Sequence, residues 1–212
     1  MSHYNEAYFK EYQSSIGDFG GIANLFKFEP FIRPSDSLLD YGCGGGYLLQ
    51  NLRCHQKFGY DINTTALSNA RRLGLSVYDD FSQIKNDLDI VISNHALEHV
   101  SNPFDEVVAV RKKLRPGGLC VFVVPYESKG QAWNPEDVNK HLYTWAPLNL
   151  GNLFQRAGFD ILSCEPLYHT WPPNYLDLAQ TQGWVEFHRQ AVAYAHQSQT
   201  YQVRVVAQNP SR

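Results

Sequence analysis

The sequence predicts an α/β fold built on a doubly wound, mostly parallel sheet. Three observations predict it. From residue 37 onward short apolar segments alternate with helical ones, the apolar segments are nearly continuous, and the first of them runs straight into a glycine-rich loop. A strand covered on both faces loses the in–out alternation of a half-exposed strand. Continuous apolar strands separated by helices therefore argue for a parallel sheet with helices on both sides.

Taken in order, Tyr4, Ala7, Tyr8 and Tyr12 stand at helical spacing over residues 4–13, and Gly17, Gly20 and Gly21 are expected to break that helix. SLLDYG (37–42) reads as the first strand, YLLQNL (47–52) as the helix after its loop, and KFGYDI (57–62) as the second strand. A helix follows from Thr64 to Leu73, stopped by Gly74, then strands at LSVYDDF (75–81) and DLDIVIS (87–93). Pro103 starts a helix to about Leu114, which Pro116-Gly117-Gly118 is expected to end, and LCVFVVP (119–125) is the fifth strand. Residues 127–144 read as a loop, Ala146 to Ala157 as a helix, and Phe159 to Cys164 as a sixth strand. The bend at Trp171-Pro172-Pro173 leads to a helix over about Tyr175 to Ala195, and YQVRVV (201–206) closes the sheet.

At 212 residues the chain has the length of one ordinary domain, enough to bury roughly 70% of its unfolded surface without metals or disulfides. Lys plus Arg number 18 and Asp plus Glu 21, a net charge of −3 that provides no basic face for nucleic acid. With 14% aromatic and 18% charged residues it is too apolar for a disordered chain. The longest apolar run, Leu119 to Val124, is far shorter than the ~20 residues of a membrane span, so no membrane partner is expected. The opening MSHYNEAYFKEYQ lacks the pattern of a secretory signal, and Cys43, Cys54, Cys120 and Cys164 form no CxxC pair. Both point to reduced thiols and a cytoplasmic location.

The loop Asp40-Tyr41-Gly42-Cys43-Gly44-Gly45-Gly46 carries the chemistry. Glycines between a buried strand and a helix let backbone turn sharply and approach a ligand at the carboxyl edge of the sheet. The pattern is neither GxxxxGK[ST] nor GxGxxG, since residue 47 is Tyr. Asp61, ending the second strand, reaches the same edge, where a carboxylate can accept both hydroxyls of a ribose.

Together, Asp40 to Gly46, Asp61, NHALEHV (94–100) and LRPGG with LCVFVVP (114–125) resemble the class I S-adenosylmethionine-dependent methyltransferases. The resemblance covers roughly residues 37–165, with RVVAQNP similar to the family's final strand. It implies a Rossmann-like, seven-stranded sheet of order 3-2-1-4-5-7-6, the last strand antiparallel. It implies a single domain, with residues 1–33 as a helical lid, 34–128 as the cofactor-binding half and 129–212 as the substrate side. S-adenosyl-L-methionine would be bordered by Asp40, Gly42, Cys43, Gly44 and Gly46, with Asp61 and Ile62 at the ribose. Asp79 or, in preference, Asp80 would meet the adenine amino group, with Phe81 beside the ring. Asn94 and His95 would lie near the methyl group. The activity implied is methyl transfer to an oxygen or nitrogen of a small metabolite. A non-catalytic binding module that keeps the cofactor pocket is the alternative, and the oligomeric state stays open.

Other signals are read beside this one. His95, Glu98 and His99 spell HxxEH, a zinc-protease pattern when it lies on a helix, but no third ligand stands out. No metal is therefore expected, although relatives that methylate catechols use one at this segment. Arg111, Lys112, Lys113 and Arg115 suit a helix C-terminus. Where the acceptor is a hydroxyl or a protonated amine, His95 and His141 (in HLYTW) are the candidate bases. Tyr126, Trp133, Tyr143, Trp171 and Tyr175 are candidates for the acceptor pocket, and the Tyr4, Tyr8, Tyr12 stripe for packing or a lid.

Overall fold

The described residues of the computed structural model are 14–127 and 132–211, so the Tyr4, Tyr8, Tyr12 stripe lies outside them. They form a seven-stranded sheet in the order β3-β2-β1-β4-β5-β7-β6. The strands are β1 (Ser37–Tyr41), β2 (Gln56–Tyr60), β3 (Ser76–Tyr78), β4 (Leu88–Asn94), β5 (Leu114–Pro125), β6 (Asp160–Leu167) and β7 (Gln202–Gln208). β1 to β5 pair in parallel, and β7 lies antiparallel between β5 and β6. The helices are α1 (Ser14–Ala23), α2 (Tyr47–Asn51), α3 (Thr64–Arg72), α4 (Pro103–Lys113), α5 (Pro147–Arg156) and α6 (Tyr175–Ser198). This is the topology the resemblance implies. Among the described residues no helix is long and apolar enough to cross a membrane.

β1 is buried at all of its positions, which explains its unbroken apolar reading. Alternate side chains of the central strands feed two cores: Leu39, Val91, Phe122 and Val205 on one face, and Leu38, Ile90, Ile92 and Val121 on the other. The helices begin where their caps sit. Asn63 Oδ1 accepts from the Thr65 and Ala66 N–H groups to start α3, and Asn102 with Pro103 starts α4. The basic cluster at the end of α4 and the start of β5 has internal partners: Lys113 Nζ donates to the Ile84 carbonyl at 2.6 Å, and Arg115 pairs with Asp89 at 2.7 Å.

Three segments depart from the sequence expectation. The glycines at 17, 20 and 21 lie inside α1. A methyl on Gly17 would strike the Tyr47 ring and one on Gly21 the Tyr47 carbonyl, so these glycines let α1 pack directly on α2. Pro116-Gly117-Gly118 does not separate helix from strand. β5 already begins at Leu114, and its register slips between the Leu88 and Ile90 pairings while Gly117 takes a φ of 77°. Two residues of β4 there face five of β5, so the irregularity absorbs three extra residues, a large bulge in the ladder. α6 is kinked at Gly183, whose φ of 81° and ψ of 172° are not helical.

Trp171 and Tyr175, candidates for the acceptor pocket, hold α1 to α6. The Phe19 ring lies 4.9 Å from Trp171, 4.8 Å from Tyr175 and 5.3 Å from Phe187. In an open helix interior, Gly→Ala stabilises by about 0.5–1 kcal/mol. At Gly21 the sign reverses: Gly21→Ala is expected to destabilise by about 1–3 kcal/mol through overpacking. Urea unfolding with unchanged m reads this directly, and a stabilised variant would refute the close α1–α2 contact.

Candidate functional site

The site begins with the turn that leaves β1. The Gly42 and Cys43 N–H groups both donate to the Tyr60 carbonyl, at 2.8 and 3.0 Å. Gly42 has a φ of 77° and Gly44 of 51°, conformations that favour glycine, and a methyl on Gly42 would overlap the Ala96 side chain. Asp61, just past β2, closes the loop. One of its oxygens accepts from the Gly44 N–H at 2.7 Å and the other from the Asn63 N–H at 2.8 Å.

Asp40 is buried beside this loop, and its carboxyl is pushed up to about 7, by burial first and the charge of Asp61 second. Burial also raises Asp61, against the pull of its backbone hydrogen bonds. A raised carboxyl beside a second acid fits a ligand bringing hydrogen-bond donors and positive charge. The loop therefore fits the ribose and ammonium of S-adenosylmethionine.

The remaining expected cofactor residues separate by environment. The Cys43 side chain turns inward against Leu67, Ala70 and Val77, in a space left by Gly59, where any Cβ would meet its sulfur. Ile62 is 62% exposed beside the loop. Asp79 and Asp80 are both exposed, and Asp80 accepts from the Ser82 N–H at 2.9 Å, capping a short turn. The half-buried Phe81 ring packs on Tyr41 and Tyr60.

Across the edge, β4 ends at Asn94, and His95 follows with a φ of 57°. Residues 97–99 form a 3-10 turn rather than the helix an HxxEH site requires. The turn buries Glu98 completely, with both carboxyl oxygens lacking a hydrogen-bond partner. Around Glu98 Oε1 stand His95 Nδ1 at 3.6 Å, His99 Nε2 at 3.7 Å and His141 Nε2 at 3.9 Å. His141 is delivered by its loop: the Leu142 and Tyr143 N–H groups donate to the Glu98 carbonyl, and His141 Nδ1 is 2.6 Å from Glu127 Oε1. The two histidines proposed from sequence thus meet at one carboxyl group. Glu98, His99 and His141 also bring ligand atoms within 4.8 Å of one another, so the third ligand absent from the HxxEH reading is present in space. Their nitrogen and carboxylate donors suit a divalent ion such as zinc. Of the aromatic candidates, Trp133 is 87% exposed and Tyr126 stacks on Tyr201 at 4.2 Å, while Tyr143 stacks on Trp145.

Sequence reasoning passed over Lys27, Glu127 and Gln202. Lys27 is buried, and its ammonium donates to Asn94 Oδ1 at 2.9 Å and Gln202 Oε1 at 2.6 Å. Burial pulls its pKa down to about 7. His95 Nε2 meets the same Gln202 oxygen at 2.8 Å; since that oxygen can only accept, His95 donates from Nε2 and is neutral, as burial and the Lys27 charge both favour. A single lysine within the apolar stretch LFKFEPF was the available signal.

Burial, and then the charge of Glu127, push Glu98 up to about 8 from an ordinary 4.5. Between those values the native state holds a proton the unfolded chain has released, so this group's stabilisation is complete below pH 4.5 and falls as pH rises through 8. In chelator-treated protein, Glu98→Gln is expected to gain stability relative to the parent steadily from about pH 5 to 8. The low-pH contribution of His95 has the opposite sign and is common to both. Parallel unfolding titrations that keep a constant difference would refute a protonated Glu98.

Comparison with known proteins places the chain in a family. Residues 4–164 match a family model described as a methyltransferase domain. Over 150 residues the chain is 27% identical to a ubiquinone biosynthesis O-methyltransferase of Cereibacter sphaeroides. That alignment covers 58% of this chain and 60% of the relative, so the chain spans about three fifths of the relative's length. A methyltransferase from Haloferax volcanii, solved in complex with the Trm112 methyltransferase activator, superposes with a TM-score of 0.69 at 18% identity, covering 99% of each chain. Phosphoethanolamine N-methyltransferase 2 of Haemonchus contortus, solved with S-adenosylhomocysteine, gives 0.63 at 15% identity, over 99% of this chain and 60% of that one. At such identities the two structures establish the shared fold. The family model covers well over half of the sequence, and the chain belongs to the methyltransferase-domain family.

Proposed function

We propose that this chain is an S-adenosylmethionine-dependent methyltransferase that acts on an oxygen or nitrogen of a small molecule. The observation that carries the reading is the turn in which Gly42 and Cys43 close onto Tyr60 while Gly44 binds Asp61, in a chain of the methyltransferase-domain family. A small acceptor is supported by the near-balanced charge, and by the family relative named for ubiquinone biosynthesis.

When bound, the cofactor supplies a methyl carbon on a sulfonium whose departing thioether needs no proton. The chain's own task is alignment, exclusion of water and handling of one proton. Asp61 holds the ribose and Asp40 lies beneath the loop. Ile62 and Phe81 offer apolar faces to the adenine, and Asp80 an acceptor for its amino group. Asn94 and His95 border the transfer end. His141 is the general base. Its Nδ1–H stays on Glu127, which leaves the Nε2 lone pair to take the acceptor's proton. His141 would hold the acceptor's proton on Nε2 while the acceptor takes the methyl group that the bound cofactor would supply, leaving a neutral thioether.

Isothermal titration with S-adenosylmethionine, S-adenosylhomocysteine and NAD tests the site. Micromolar binding of the first two and none of NAD is expected, with Asp61→Ala weakening both by about tenfold or more, as loss of a charged hydrogen-bond acceptor would. Absence of binding by the parent protein would overturn the reading. Once an acceptor is in hand, His141→Ala should lower kcat by about 10²–10⁴ with cofactor affinity unchanged. An unaltered kcat would remove His141 from the mechanism.

A further inference from the structure

Lys27 is a buried charged group that the methyl-transfer mechanism leaves without a role. It is 3% exposed, and among the described residues no carboxylate lies within ion-pairing distance of it. Its two acceptors are neutral amide oxygens, on Asn94 and Gln202. An ammonium has three N–H bonds, so one is left without an acceptor among the described residues. A lysine kept only to fill space would be better replaced by an apolar side chain, because a buried charge without a counter-charge is strongly destabilising.

Its position gives the remaining N–H a purpose. Asn94 ends β4 at the carboxyl edge, and Asp40 on β1 pairs in register with Ile92 of the same strand. Lys27 thus stands on the transfer side of the edge, across from the two acids of the glycine loop. The two amides are themselves fixed: Gln202 Nε2 donates to the His169 carbonyl at 2.8 Å, which turns Oε1 toward Lys27. The outcome is an oriented cation, held by neutral groups, beside neutral imidazoles.

We infer that Lys27, aimed by Asn94 and Gln202, is an oxyanion subsite for the acceptor oxygen whose proton His141 takes, so that the acceptor is an acidic hydroxyl compound such as a phenol or enol and not an amine. The inference rests on the methyltransferase reading and narrows it. A fixed cation favours the oxyanion of the acceptor over its neutral hydroxyl, and it repels an ammonium. Asn94 and Gln202 are positioning residues in this arrangement, since they act through Lys27.

The test uses the full chain saturated with S-adenosylhomocysteine, with para-nitrophenol as the probe, whose phenolate absorbs distinctly from the phenol. Lys27→Met should weaken phenolate binding by about tenfold or more, in line with loss of a hydrogen bond to a charged group, while S-adenosylhomocysteine affinity is retained. It should also raise Tm, because the buried charge is gone; a lysine with a purely structural role would lower Tm on replacement. Lys27→Arg should keep phenolate binding. Gln202→Glu, which neutralises the lysine without removing it, should weaken phenolate binding as Lys27→Met does and serves if the latter fails to fold. Phenolate affinity that is absent from the parent protein, or unmoved in Lys27→Met or Gln202→Glu, overturns the subsite alone. A parent protein that fails to bind S-adenosylhomocysteine overturns the methyltransferase reading and the subsite with it.

Discussion

The carboxyl edge of the sheet depends on one carbonyl. Tyr60 C=O, at the end of β2, accepts from both Gly42 and Cys43, and so binds the exit of β1 to the end of its neighbour. Tyr41 and Tyr60 are register partners, so the turn starts where the ladder stops and no backbone donor is stranded. The tight turn presses Gly42 on Ala96, which ties the loop to the segment after β4. That segment is held in turn by the His95 N–H, which donates to the Val123 carbonyl of β5 at 2.8 Å. Loosening the first contact would release Asp40, Asp61 and the approach to His95 together.

Across this edge burial mutes charge of both signs. Asp40 and Glu98 are pushed up to about 7 and 8, and Lys27 is pulled down to about 7. The common cause is desolvation, which disfavours whichever form is charged. The acids on the β1–β2 side are therefore weak anions until a donor-rich ligand arrives, and the lysine on the β4–β7 side is a weak cation until an anion does. Electrostatics of this kind reward a ligand whose charges run in the complementary order, and they act in surroundings with little water to reorganise.

Much of this was legible in the sequence. The apolar runs gave the central strands β1, β4 and β5, because a strand buried on both faces cannot hide its composition, and the alternation with helices and turns gave the other four. The glycine loop and Asp61 were legible because the turn geometry admits few other residues. The α1 glycines and the Pro116-Gly117-Gly118 bulge were not. Glycine breaks a solvated helix, whereas Gly17 and Gly21 are selected by the nearness of Tyr47, a contact between segments far apart in sequence. The bulge is likewise a property of the β4–β5 ladder rather than of three residues. Tertiary packing overrode local propensity in both places.

The transfer side was legible only in fragments, and its most informative residue shows why. Gln202 opens β7 and has no chemistry of its own, yet its amide orients its neighbours. With Nε2 committed to the His169 carbonyl, Oε1 must accept from both Lys27 and His95. His95 is thereby fixed as the Nε2–H tautomer, which turns a bare Nδ1 toward Glu98, where a protonated carboxyl is the complementary partner. The antiparallel insertion of β7 beside β5 places Gln202 opposite Pro125, within reach of a histidine two strands away. No spacing in the linear sequence encodes that reach. It follows from the 4-5-7 order of the strands, and a glutamine becomes functional there because the fold leaves it one orientation.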